Sequence, residues 1–334
     1  MIRYVEGVAI SRIACALPKQ NFSLMEYAPN LFDEKSARRI AKGTGFSRLR
    51  VVPENMTAAD LCTAAAERIL REIDRSKIGS LIFVTQTPDY ALPATSHVLQ
   101  DRLHLNNDVL CLDINEGCTG WVAGLYTAAV LCKNTGRLSF LLAGDTLTTV
   151  TSPNDRSTRS IIGDAGTATL IVPSEGRIPF LFKSYGEYSQ YISMANYYQW
   201  RRHHPTLSEN DLTFTLDGGA ITDFALDDLP ATVGEFLEKE HLRKDDISLY
   251  ACHQANKLLL ISFAHKLGVP IEKVPFTSSE IGNEGVASIP LVLTNQAKEA
   301  DLSQVLCCGF GVGMAIGICL ADFSQTYFGG IAEI

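Results

Sequence analysis

Cys118 stands in Asp113-Ile114-Asn115-Glu116-Gly117-Cys118-Thr119-Gly120, between an apolar run of strand character and an Ala-rich run of helix character. A thiol at a helix start is placed for nucleophilic chemistry, because unsatisfied amide N–H groups there favour the thiolate. Gly117 permits a sharp turn before it, and Gly120 would give a ligand close access. A lone cysteine in such a run is more often core, so its meaning depends on partners. Two later segments offer them. His253 lies at a strand end in Cys252-His253-Gln254-Ala255-Asn256, where the chain turns into a helix and the ring could project into a cleft. Asn283 lies in the Gly-bounded loop Gly282-Asn283-Glu284-Gly285. Asn before a helix is ordinarily a cap; as a chemical group it would donate amide hydrogens to a carbonyl or enolate oxygen without changing charge. Together the three side chains suggest an enzyme that carries an acyl group on Cys118.

A fourth segment, Gly309-Phe310-Gly311-Val312-Gly313, is a Gly-rich turn between two apolar strands. A tight hairpin accounts for the glycines. The functional alternative is that a backbone N–H here joins that of Cys118 to form an oxyanion hole. No helix follows, so the glycines do not make a dinucleotide fingerprint. The histidines His97, His104, His203, His204, His241 and His265 have no comparable setting and read as structural.

Elements that alternate between strand and helix must position these groups. Val8–Leu17 reads as strand, Ala58–Arg75 as amphipathic helix, Ser80–Thr85 as strand, Thr95–Leu103 as helix and Val109–Ile114 as strand. A helix follows from Cys118 to about Asn134, then the strands Ser139–Gly144 and Thr167–Val172. The later rhythm is helix Pro230–Glu240, strand Ile247–Cys252, helices Asn256–Leu267 and Gly285–Ala300, and strands Val305–Gly309 and Ala315–Leu320. Such alternation predicts layered α/β architecture with largely parallel sheets. Ser80–Gln86, Thr95–Leu103 and Val109–Cys118 have pattern counterparts in Ser248–Gln254, Lys257–Leu267 and Val274–Asn283. An internal duplication, with halves 1–175 and 176–334, would put the loops of Cys118 and Asn283 at facing positions. Gly176–Leu212 is the least regular stretch; its aromatic and basic part Tyr197–Pro205 reads as a connection over a site mouth or as a solvated loop.

The chain has 334 residues, enough for two domains of about 150 residues each, and 46% are hydrophobic, which permits a large core. Net charge is −8, from 29 basic and 37 acidic residues, and this sign disfavours nucleic acid as a partner. The cysteines Cys15, Cys62, Cys111, Cys132, Cys307, Cys308 and Cys319 lie mostly in apolar runs and read as reduced core residues. No CxxC or HExxH spacing occurs, so no metal is expected. No signal-peptide h-region opens the chain and no uncharged run reaches the roughly 18 residues of a membrane span. These features predict a soluble cytoplasmic protein.

Taken together the segments resemble the thiolase superfamily, most closely the β-ketoacyl-acyl-carrier-protein synthase III group of initiating ketosynthases. The resemblance covers nearly the whole chain. It is carried by Gly117-Cys118-Thr119-Gly120, Asp155-Arg156-Ser157-Thr158 with Gly163-Asp164-Ala165-Gly166, His253-Gln254-Ala255-Asn256, Gly282-Asn283 and Gly309-Phe310-Gly311. It implies a five-layer αβαβα fold of two similar halves, usually a homodimer, and no cofactor. It implies a Cys118-His253-Asn283 triad and an oxyanion hole from the amides of Cys118 and Val312. Substrate-binding roles follow for Arg156, Asn256, Leu92 and Gly311, with Leu92 lent by the dimer partner to the acyl pocket. The implied reaction loads a primer from coenzyme A or acyl carrier protein onto Cys118 and condenses it with malonyl carrier protein to a 3-oxoacyl product. Acyl carrier protein is acidic, so Lys257, Lys266 and Lys273 are docking candidates, with solvated helix-face charge as the alternative.

The chain also departs from that pattern. In Arg38–Phe46, Arg39 stands where Trp is usual and Gly43 where Arg is usual, while Arg156, the other side of the adenine clamp, is present. Altered coenzyme A recognition, a carrier-bound primer and a specialised pathway are expected. Transfer of the acyl group to oxygen or nitrogen would use the same triad. A cysteine hydrolase would need a Gly-Ser-Cys-Trp signature that is missing, and an inactive partner subunit would not need an intact triad.

Overall fold

The computed structural model describes residues 1–194 and 213–334. Tyr197–Pro205 therefore lies outside the described residues. The strands that build the frame are β1 (Ile2–Leu17), β2 (Ile78–Val84), β3 (Leu110–Ile114), β4 (Leu138–Asp145), β5 (Ala165–Ser184), β6 (Leu249–Cys252), β7 (Val305–Gly311), β8 (Ala315–Ala321) and β9 (Tyr327–Glu333). The principal helices are α1 (Glu34–Thr44), α2 (Ala58–Leu70), α3 (Thr95–Arg102), α4 (Gly120–Thr135), α5 (Gly218–Lys239), α6 (Lys257–Leu267) and α7 (Ser288–Gln296).

The strands join in the order β6-β7-β8-β5-β4-β2-β3, with β1 lying on β5 and on β9. Two long strands make this one continuous system. Gly166 to Pro173 of β5 pairs with Val8 to Ala16 of β1, and Arg177 to Leu181 pairs with Ile2 to Glu6, across a register shift at Gly7. The first stretch of β5 also borders β4, while its last residues border β8. A bent antiparallel ribbon thus carries one sheet at each end. β5 passes through the 175/176 division between the expected halves.

Side-chain alternation along the strands separates three apolar layers. In β2, Ile82 and Val84 face a central core while Ile78, Leu81 and Phe83 face an outer one. In β7, Val305 and Cys307 face the central core while Leu306, Cys308 and Phe310 face the other outer one. The central layer is filled by α4, with Trp121, Val122, Leu125 and Ala129, and by α7, with Ile289, Val292 and Leu293. Helix α4 touches β2 and β4 on one side and β7 and β8 on the other. Helix α2 covers the first sheet and α5 the second. The result is αβαβα, as the resemblance implies.

Several local expectations are corrected. The sheets are mixed: β2·β3, β2·β4, β1·β9 and β6·β7 are parallel, but β4·β5, β5·β1, β7·β8 and β8·β5 are antiparallel. Helical crossovers produce the first kind, and the short return after Gly311 produces one of the second. Gly176 to Ser184 is strand, because β1 supplies partners for its backbone. Helix α5 begins at Gly218, where the Asp217 side chain accepts from the Gly219 and Ala220 amides, so Pro230 falls inside it. The expected helix Gly285–Ala300 is a 3-10 turn, Gly285–Ala287, followed by α7, which ends at Gln296. Val274–Asn283 is not a strand; only an isolated bridge joins Ile162 to Asn283. Helix α1 carries charge on most of its surface, which hid it; Asp33 caps it, accepting from the Ser36 amide at 2.6 Å, and Gly45 ends it at φ 87°.

Buried carboxyls tie the layers together. Asp164 accepts from the Val52 amide at 2.9 Å and the Thr148 amide at 3.1 Å. Asp145 accepts from the Gln86 amide at 2.7 Å and the Val286 amide at 3.1 Å. Burial pushes Asp164 up to about 7 and Asp145 up to about 6. A carboxyl that binds its proton more tightly folded than unfolded favours the fold while protonated. For Asp164 that advantage is complete below its ordinary value of 3.8 and lost as pH rises through about 7. The stability gap between the native chain and Asp164→Asn should therefore shrink from pH ~5 to pH ~8. Denaturant midpoints across that range check it, and a constant gap would contradict the assignment.

Candidate active site

Cys118 lies in the turn between β3 and α4, where the Gly120 amide donates to the Gly117 carbonyl at 2.6 Å and Thr119 Oγ1 donates to Glu116 Oε1 at 2.7 Å. The end of β7 presses on this turn. A Cβ at Gly311 would fall 2.6 Å from Cys118 Sγ, and one at Gly309 2.7 Å from the Cys118 carbonyl oxygen. At Gly311 φ is +146°, so the position demands glycine for backbone and space alike. Gly120 does not give a ligand access: its bare face packs against Val84 and Val286, joining α4 to the core.

His253 follows β6 directly. Its amide donates to the Cys308 carbonyl at 2.8 Å, which extends the β6·β7 pairing and turns the ring inward. The ring is 2% exposed and meets Phe310 edge-on at 5.5 Å. Its Nδ1 is 3.0 Å from Ser288 Oγ at the start of α7. Asn283 is held by backbone on both sides: its amide donates to Ile161 O at 2.7 Å and its carbonyl accepts from the Gly163 amide at 3.0 Å. The Oδ1 atom accepts from the Gly285 amide at 3.1 Å, so Nδ2 is the group left for a ligand. Asn283 caps the turn, as expected of Asn before a helix, and keeps its donors free.

These groups meet. Cys118, His253, Asn283, Asn256, Gly311 and Val312 all line one cavity, whose empty space is about 650 Å³ when the open solvent at its mouth is counted. Its remaining wall is chiefly apolar, with Ile161, Ile192, Phe214, Leu216, Ile221 and Leu259. Asn256 sits at its edge as the cap of α6, its Oδ1 accepting from the Leu259 amide at 2.8 Å.

Electrostatically the cavity keeps its groups uncharged. Burial pushes the Cys118 thiol up to about 12; the amides of Val312 and of Cys118 itself oppose this, and Asp145 and Glu116 reinforce it. Burial therefore outweighs the helix start, and the resting group is a thiol rather than the expected thiolate. Burial also lowers His253 to about 4, against a smaller upward pull from the Gly285 backbone. A neutral imidazole beside a neutral thiol is the ground state at neutral pH.

Other expected site residues lie elsewhere. Arg156 is outside the cavity, with its guanidinium 5.0 Å from the centre of the Phe32 ring. Leu92 is 88% exposed on this chain and does not reach the cavity. Lys266 pairs with Asp227 at 2.6 Å. Lys273 donates to the carbonyls of Asp245 and Ile247. Lys257 opens α6 next to Asn256. Sequence reading passed over Gln86, Ser288 and Glu284. Gln86 lines the cavity, and Ser288 and Glu284 stand behind His253. Nothing in the spacing of Glu284 distinguishes it from a solvated loop acid. Among the described residues there is no metal-binding cluster and no helix long and apolar enough to cross a membrane.

A half-buried, cavity-lining cysteine under two amides, with a histidine and an asparagine in an αβαβα frame, defines a thiolase-fold acyltransferase. Residues 112–186 match the family described as 3-oxoacyl-(acyl-carrier-protein) synthase III, and residues 237–323 match its C-terminal part. The β-ketoacyl-(acyl-carrier-protein) synthase III of Coxiella burnetii is 30% identical over 322 residues, covering 93% of this chain and 98% of that one. The crystal structure of a 3-oxoacyl-(acyl-carrier protein) synthase from Burkholderia xenovorans LB400 superposes with a TM-score of 0.91 at 31% identity, over 100% of this chain and 99% of that one. The priming β-ketosynthase of the R1128 polyketide pathway shares the fold, with a TM-score of 0.85 at 22% identity over 95% and 97% of the two chains. This chain belongs to the 3-oxoacyl-(acyl-carrier-protein) synthase III family.

Because the thiol is protonated at rest, its alkylation by iodoacetamide should rise about tenfold per pH unit between about 7 and 10. A rate that levels off below pH ~8 would show a thiolate already formed. Gly311→Ala should cut that rate by at least about tenfold, because the new methyl occupies the approach to sulfur; an unchanged rate would mean that β7 yields at no cost.

Proposed function

We propose that this enzyme loads an acyl thioester primer on Cys118 and condenses it with malonyl-acyl carrier protein, releasing carbon dioxide and a 3-oxoacyl thioester. The observation that carries this reading is the convergence of Cys118, His253 and Asn283 on one cavity, with the Val312 and Cys118 amides at the sulfur. In the first step His253 takes the thiol proton as sulfur bonds to the primer carbonyl, and the two amides hold the oxyanion. The carrier thiol leaves with that proton. In the second step the malonyl thioester oxygen accepts hydrogen bonds from His253 and from Asn283 Nδ2. Loss of carbon dioxide leaves an enolate on that oxygen, and its carbon attacks the acyl carbon on Cys118. Neutral donors suit this step, because a buried cation would stabilise the malonyl carboxylate as well as the enolate.

We read Asn256 as a contact of the pantetheine arm, and the apolar wall as the place of the primer chain. Arg156 lies over Phe32 and Arg39 is exposed, which favours a primer delivered on a carrier protein over adenine stacking from coenzyme A. Lys257, beside the mouth, is the docking cation this reading favours. A homodimer is supported by exposed apolar side chains, Leu110 and Leu112 on the edge strand β3 and Leu92 in the loop before α3. We read 1–175 and 176–334 as the two halves of the enzyme, and place it in a specialised fatty-acid or polyketide pathway.

Acyl donors on coenzyme A and on carrier protein, offered in turn, should add an acyl mass to the peptide containing Cys118, with carrier-bound donors favoured. Cys118→Ala should abolish the adduct. Asn283→Ala should keep the adduct but slow condensation by about a hundredfold or more. Full condensation in that variant would remove the enolate role.

A further inference from the structure

Glu284 is a buried acid that the reaction above leaves unused. It is fully buried behind the cavity, one residue after Asn283. Its Oε1 accepts from Ser278 Oγ, and its Oε2 lies 3.1 Å from Ser288 Oγ. Ser288 Oγ in turn is 3.0 Å from His253 Nδ1 and 3.1 Å from the Gly285 carbonyl oxygen. The cavity-lining imidazole is therefore joined to a carboxyl through one hydroxyl.

A hydroxyl has a single hydrogen, and here three acceptors compete for it. When Glu284 is ionised, charge-assisted bonding draws that hydrogen to Oε2. Nδ1 must then carry its own proton and donate to Ser288, which leaves Nε2 as a bare lone pair for the cavity. When Glu284 is protonated on Oε2, it donates to Ser288, whose hydrogen turns to Nδ1. Nε2 then carries the proton.

We propose that Glu284, acting through Ser288, sets the tautomer of His253 and supplies the proton that condensation consumes. The inference rests on the assignment of His253 above. With Glu284 ionised, Nε2 is the base that loading of the Cys118 thiol requires. With Glu284 protonated, Nε2–H is the donor that the enolate requires. Condensation breaks the bond from Cys118 sulfur to the acyl carbon, and the sulfur needs a proton. Nε2–H gives it, Nδ1 takes the Ser288 hydrogen, and Ser288 takes the proton of Glu284. The cycle closes with a thiol, an Nδ1–H imidazole and a carboxylate, which solvent reprotonates before the next condensation.

Burial places the titration of Glu284 at about 7, where both states are populated. The titratable groups around it are His253 across Ser288, the thiol of Cys15, which is pushed up to about 12, and Asp145, which accepts from the Val286 amide of the same turn. Glu284 is thus a positioning residue, separable from a purely structural acid.

The test uses the full-length enzyme and whichever acyl donor loads wild-type Cys118, with loading and malonyl decarboxylation followed separately against pH. In the wild type, loading should rise and decarboxylation should fall as pH passes through about 7. In Glu284→Gln the amide oxygen keeps the Ser278 bond and the amide nitrogen donates to Ser288, so the Nε2–H form is frozen. Loading should slow at least about tenfold above pH ~7.5, decarboxylation should persist, and the falling decarboxylation limb at pH ~7 should vanish, while the slow rise of loading that follows the thiol's own ionisation remains. Ser288→Ala cuts the relay and should also remove the decarboxylation limb. Loading at the wild-type rate above pH ~7.5, or a decarboxylation limb kept at pH ~7, in Glu284→Gln would overturn the inference. If that variant fails to fold by circular dichroism, a decarboxylation limb kept at pH ~7 in Ser288→Ala overturns it alone. Absence of any loading on wild-type Cys118 would instead sink the reaction assignment, and this inference with it.

Discussion

Everything at the cavity depends on how closely β7 approaches the Cys118 turn. Glycines at 309 and 311 let the strand lie against the cysteine backbone and its sulfur, where any side chain would collide. That contact joins the two sheets across the central helices. It also delivers the Val312 amide to the sulfur and, through the Cys308 carbonyl, fixes the backbone of His253. A strand shifted by one residue would turn Phe310 toward the sulfur and break both relations.

The second constraint is electrical. The site is built deep in apolar packing, so an ion is costly there and the groups respond by staying neutral. The thiol is pushed up and the imidazole down, each by burial above all. Chemistry in such a place works through positioned dipoles rather than standing charges. The Asn283 side chain illustrates this: one end is consumed by the Gly285 amide, which aims the other end. Carboxyls that remain buried, such as Asp145, are surrounded by amide donors and organise the turns that bear site residues.

Outside the cavity the first helical region presents a cationic and aromatic surface. Arg156 stacks on Phe32, Arg159 on Tyr27, and α1 presents Arg38, Arg39 and Lys42 to solvent or near it. The catalytic frame and its surface are thus separable: the buried contacts leave little room for change, whereas exposed helix faces tolerate it.

Much was legible from residue order. The strands and helices of the frame follow from period-two and helical apolar patterns, and the motif glycines point to the turns that hold Cys118, Asn283 and Val312. Other features were not. Helix α1 escaped because its capping, and not its apolar content, ends and begins it. β9 and the second half of β5 escaped because strands that pair at distance 150 or more leave no local mark. Glu284 was invisible as a functional group because its burial and its link to Ser288 exist only after α7 packs against β6. By itself the sequence determined which chemistry was available: a thiol, an imidazole and a carboxamide, each beside glycine or at an element boundary. Only the tertiary structure decided their charge state and their hydrogen-bond partners, because desolvation and shared hydrogens are properties of neighbours that the chain brings together from far apart.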